Sequence, residues 1–129
     1  MTPELTALAL AVLLQGLQFA LYSLLGNLQV GTVYSMSPRD TPMVLTGTAG
    51  RLQRALNNHF EGLILFTAAV VVVTLSGQAG TVTATAAWIY LGARLLYIPA
   101  YHFGLAPWRT LIWFVGFFAT MAMLIAALV

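Results

Sequence analysis

Cysteine is missing from this 129-residue chain. Disulfide frameworks, a thiolate nucleophile of the protein's own and cysteine-based metal sites are therefore excluded, and any reactive thiol must arrive on a ligand. Lysine is missing too: all five basic residues are arginines, against three acidic ones, for a net charge of +2. That is too sparse a positive charge for a nucleic-acid footprint, while arginine without lysine favours fixed, bidentate recognition of carboxylates. Charged residues make up only 6% of the chain and hydrophobic ones 60%, a balance that excludes an ordinary soluble domain. No internal repeat is present of the kind that marks inverted-repeat transporters. Two histidines without an Asp or Glu at ligand spacing give no metal site.

What remains is a set of long apolar runs. The chain reads as a single all-α, integral-membrane four-helix domain over 1–129, with spans at about 5–28, 49–75, 82–103 and 108–129. The first run follows Glu4 with no positive leader and no small-residue cleavage pattern, so it is expected to be a retained helix and not a signal peptide. Residues 30–48, with two prolines, two glycines and the adjacent Arg39 and Asp40, form the one substantial loop. Ser76, Gly77, Gln78 and Gly80 make a short uncharged turn, and Gly104 with Pro107 separates the last two spans. Trp88, Trp108 and Trp113 lie toward span ends, as interfacial aromatics do. Arg39, Arg51, Arg54 and Arg109 all fall at the 1–2 and 3–4 connections, so the positive-inside rule puts those loops in the cytoplasm and the termini outside.

Several ionisable residues nevertheless sit within these spans. A charge near the bilayer centre costs roughly 2.5–3.5 kcal/mol on insertion scales, so it persists where it pairs or holds a polar ligand. At about 100° per residue, Arg51, Arg54, Asn58 and Glu61 share an arc of about 80° on the second helix. Tyr90, Arg94, Tyr97 and Tyr101 share an arc of about 60° on the third. With a rise of about 1.5 Å per residue, Glu61 lies roughly 16 Å from the start of its span and Arg94 roughly 14 Å from the end of the antiparallel next one. The depths match, so a Glu61–Arg94 ion pair is expected, with Arg51, Arg54, Tyr101 and Arg109 nearer the cytoplasmic rim. Such a pocket suits a small zwitterionic or anionic molecule: guanidinium groups grip carboxylates, Glu61 accepts from an ammonium, and Asn58 both donates and accepts.

Blander readings stand beside these. Arg51, Arg54 and Arg109 could snorkel or anchor at the interface, and Tyr90 and Tyr97 could be packing aromatics. A purely structural Glu61–Arg94 pair is seldom better than apolar packing. Asn58, and likewise Gln15 and Gln18 on the first helix, could be interhelical glue. Asn57, His59 and His102 fall off the centre of the stripe.

The segments GRLQRALNNHFEGLILF (Gly50 to Phe66) and YLGARLLYIPAYHFGLAPWRTLIWFVG (Tyr90 to Gly116) resemble the MAPEG family, the membrane-associated proteins in eicosanoid and glutathione metabolism. The resemblance covers nearly the whole chain and rests on Arg54, Ala55, Asn58 and Glu61 followed by Arg94, Tyr97 and Tyr101. It implies a homotrimer of four-helix bundles that binds glutathione as co-substrate between neighbouring subunits, on the cytoplasmic side. Arg54, Asn58, Glu61, Arg94, Tyr97 and Tyr101 then look like glutathione contacts, with Arg51 at the rim. Arg109 looks like the fourth-helix arginine that stabilises the thiolate in catalytic members, with Tyr97 as a second candidate. Asn57 stands where some eicosanoid-making relatives have a further arginine, and Trp113 near where they have a tyrosine, so the chain looks most like the short bacterial branch.

The resemblance therefore implies a glutathione transferase or peroxidase acting on lipophilic electrophiles dissolved in the bilayer. Lowering a free thiol pKa of about 8.5 by about two units takes roughly 2.7 kcal/mol of thiolate stabilisation, within reach of one desolvated arginine and a hydroxyl donor. The alternatives are a noncatalytic membrane binder or scaffold of a small thiol or anionic metabolite, and a small proton-coupled exporter built on Glu61.

Overall fold

A computed structural model describes residues 1–30, 47–103 and 105–129; of Gln29, Val30, Thr48, Ala49, Tyr101, His102 and Ala106 it describes the backbone only. Arg39 and Asp40 lie outside the described residues. Four helices follow in order: α1 (Pro3–Val30), α2 (Gly47–Leu75), α3 (Thr81–His102) and α4 (Ala106–Leu128).

Local chemistry sets their ends. Thr2 caps α1, its Oγ1 accepting from the Leu5 N–H at 3.2 Å, and Pro3 takes the first helical position, where a missing N–H is no loss. Two bonds close α2, from Gly77 N–H to the Thr74 carbonyl and from Gln78 N–H to the Val73 carbonyl. This is the paired pattern that needs a left-handed residue, and Gly77 supplies it with φ +71°. Thr83 accepts the Gly80 N–H at 2.8 Å in the first turn of α3, and Pro107 sits in the first turn of α4.

Consecutive helices run antiparallel, with α2 and α3 packed against one another and each also against α1 and α4. Among the described residues, α1 and α4 do not touch. Alanines carry much of the buried seam: Ala7, Ala11, Ala69, Ala86, Ala87 and Ala119 let backbones approach where larger residues would hold them apart. Phe66 and Tyr90 stack across it with ring centres 3.9 Å apart and planes 10° off parallel.

The outside is as apolar as the inside. Leu13, Phe19, Ile64 and Phe118 are each more than half exposed, one arrangement repeated along every helix and far beyond what a water-facing monomer tolerates. Stretches of α1, α2 and α4 (Pro3–Leu28, Gly50–Leu75 and Pro107–Leu128) are long and apolar enough to cross a bilayer. At 22 residues α3 is long enough, but Arg94 and its run of threonines and tyrosines dilute it. The protein is an all-α integral-membrane bundle.

Glu4, which the sequence shows only as a charge ahead of the first span, is 1% exposed. Its carboxylate accepts from the Thr83 hydroxyl at 2.6 Å, joining the first turns of α1 and α3, where two helix dipoles favour a negative group.

Candidate functional site

Arg94 organises the middle of the bundle. It is 3% exposed, so each of its donors needs a partner or an occupant. Nε donates to His59 Nδ1 at 3.2 Å, and Nη1 donates to Asn58 Oδ1 at 2.9 Å. The guanidinium lies over the Tyr97 ring, 4.5 Å from its centre. His59 is held in turn: its Nε2 faces the Ala11 carbonyl at 3.1 Å, so Nε2 carries the proton and Nδ1 is free to accept from Arg94. A chain of contacts thus runs from the α1 backbone through α2 to α3. Nη2 of Arg94 has no hydrogen-bond partner among the described residues.

Beside it opens a cavity of ≈ 190 Å³ between α2, α3 and α4. Glu61, Gly62 and Leu65 line one side, Tyr90 and Arg94 a second, and Trp113 and Gly116 a third. The Tyr90 hydroxyl is buried there with no hydrogen-bond partner among the described residues. Gly62 makes the room: a Cβ at that position would stand 3.4 Å from Tyr90 Oη and 3.9 Å from Arg94 Nη1.

Two expectations need correction. Among the described residues Glu61 and Arg94 make no ion pair, although both line this cavity. Depth was right but side-chain direction was not: Glu61 turns toward the exposed face of α2, while Arg94 is drawn inward by Asn58 and His59. Trp113, read as an interfacial aromatic, lines the cavity, whereas Trp88 and Trp108 do lie exposed.

The other sequence-selected residues divide by exposure. Tyr90, Arg94 and Tyr97 share the buried face of α3. Asn58 is half-buried, and Arg51, Arg54 and Glu61 are exposed along α2. Arg109 is half-buried in the first turn of α4 and does not line the cavity. The Tyr101 side chain lies outside the described residues.

His59 was missed because it stands about 120° from the centre of the polar stripe. A signal was available. Leu52, Leu56, Phe66, Val70 and Val73 repeat with helical spacing on one buried face, and His59 falls in the middle of that series. A titratable residue among core positions needs a hydrogen-bonded partner, and here there are two.

With this geometry in place, comparison with known proteins is decisive on one point: the model of the MAPEG family matches residues 6–129. The chain belongs to the MAPEG family. No curated protein and no solved structure matches it. Membership makes it, in general terms, a membrane protein of glutathione and eicosanoid metabolism, and the residues that carried the resemblance are those around Arg94 and along the α2 face. The finer assignment within MAPEG turns on what the polar stripe of α2 can hold.

Proposed function

We propose that the protein binds glutathione along the α2 stripe and acts as a glutathione transferase or peroxidase on lipophilic electrophiles. One observation carries the reading: Arg51, Arg54 and Glu61 are exposed on a bilayer-length helix, beside an Arg94 that Asn58 and His59 hold in place. At the depth of Glu61 a charge needs cover other than lipid. A second copy of the chain would supply it, consistent with the homotrimer that the family resemblance implies.

The donor set fits the ligand. Arg54 to Glu61 spans about 10 Å of helix, close to the roughly 10 Å reach of an extended tripeptide. Arg51 and Arg54 suit a terminal carboxylate, Glu61 an ammonium, and Asn58 an amide. Tyr101 would join these contacts from α3. Glutathione brings the thiol that a cysteine-free chain lacks. Arg109 at the start of α4 and Tyr97 on α3 are the residues proposed to favour its ionised form, by positive charge and by hydroxyl donation.

Thermal unfolding in detergent tests this. Glutathione at a hundredfold excess over its dissociation constant should add about 2.7 kcal/mol to stability, and Arg54→Ala should remove the effect. Absence of any shift at millimolar glutathione would overturn the reading.

A further inference from the structure

The cavity beside Arg94 has a chemistry of its own, distinct from the exposed stripe. At ≈ 190 Å³ it is smaller than the roughly 300 Å³ at which drug-sized ligand pockets begin, so it admits one end of a molecule and not a whole tripeptide. Among the described residues two donors on its lining have no partner: Tyr90 Oη, on a residue 2% exposed, and Arg94 Nη2, on a residue 3% exposed. Buried donors left unmet inside an apolar bundle are costly, and these two ask for an acceptor.

Charge decides what kind. Glu61 borders the same cavity as Arg94 without pairing with it, so residues of both signs already stand at its wall. A ligand carboxylate would have to tolerate the nearby Glu61 charge and give up its hydration. A neutral carbonyl oxygen need do neither. Leu65, Trp113 and Phe117 complete an apolar approach.

We infer that the cavity between α2, α3 and α4 binds the neutral carbonyl end of a lipophilic molecule, with Tyr90 Oη and Arg94 Nη2 donating to its oxygen and Gly62 keeping the space open. This site stands whether or not glutathione binds. If the glutathione reading also holds, it names the electrophile class as α,β-unsaturated carbonyls. The two donors draw the C=C pair toward oxygen, sulfur bonds to the β carbon, and the resulting enolate takes at its α carbon the proton that the thiol gave up.

The test omits any thiol. Purified protein carrying Trp88→Phe and Trp108→Phe reports binding through Trp113 emission alone, titrated with 2-nonanone, nonane and nonanoate. The ketone should bind tightest. Tyr90→Phe, which keeps the ring stacked on Phe66, should weaken the ketone roughly tenfold and leave nonane unchanged. Gly62→Ala places a methyl at ordinary contact distance from Tyr90 Oη and should abolish ketone binding while far-UV circular dichroism stays native. Ketone binding equal to nonane, or unaffected by Tyr90→Phe, overturns the site; nonanoate binding tighter than the ketone overturns its neutrality. Failure here would leave glutathione-dependent stabilisation untouched, so the two readings fail separately.

Discussion

Replacing His59 with leucine isolates the contact that holds Arg94 in place. Leucine keeps an apolar side chain of similar bulk, so little cavity is created, while the acceptor for Arg94 Nε at 3.2 Å disappears. The Ala11 carbonyl loses the His59 N–H but lies inside α1, where its helical partner remains. The cost is therefore dominated by a charged donor left unmet at a buried residue, about 1.5–3 kcal/mol, less some tenths recovered by burying leucine. At roughly 4 °C per kcal/mol for a chain of this size, the midpoint should fall by about 8 °C. Thermal scans at one fixed rate in one detergent measure it. His59→Gln, which can both accept from Arg94 and donate to Ala11, should restore most of the loss. In a double-mutant cycle with Arg94→Leu, the coupling should reach about 1.5–3 kcal/mol, because the second change removes the donor that the first leaves stranded. A coupling below about 0.5 kcal/mol would refute the claim that His59 positions Arg94.

Thr83→Val removes the hydroxyl that donates to Glu4 at 2.6 Å and should destabilise the bundle by about 1–3 kcal/mol in the same scans; Glu4→Gln added to Thr83→Val should cost less than the sum of the two. Gly77→Ala forces a Cβ into φ +71° and should lower stability by about 1–2 kcal/mol, although nothing lies within 4 Å of the added atom, so an unchanged midpoint would exclude backbone strain at that turn.

The stripes were legible because helical phase is a property of spacing alone: Tyr90, Arg94 and Tyr97 are expected on one face and are buried together. Partner choice was not legible. Spacing places Glu61 and Arg94 at one depth, but a side chain pivots through several ångströms about its Cα, and Arg94 turns to two neutral acceptors on adjacent positions of α2, Asn58 and His59. Those two are about 100° apart on the helix, which is why no single stripe contains both.

Composition and periodicity by themselves determined a cysteine-free, all-α membrane bundle with its polar residues on α2 and α3, since apolar length and helical phase are local quantities. Only the tertiary structure decided that Glu4 is buried against Thr83, that His59 rather than Glu61 holds Arg94, and that Gly62 opposite Tyr90 leaves a cavity with two unmet donors. Each of these depends on which side chains from distant parts of the chain converge at one point, and in a low-dielectric interior such convergence is what sets the partner of every polar group.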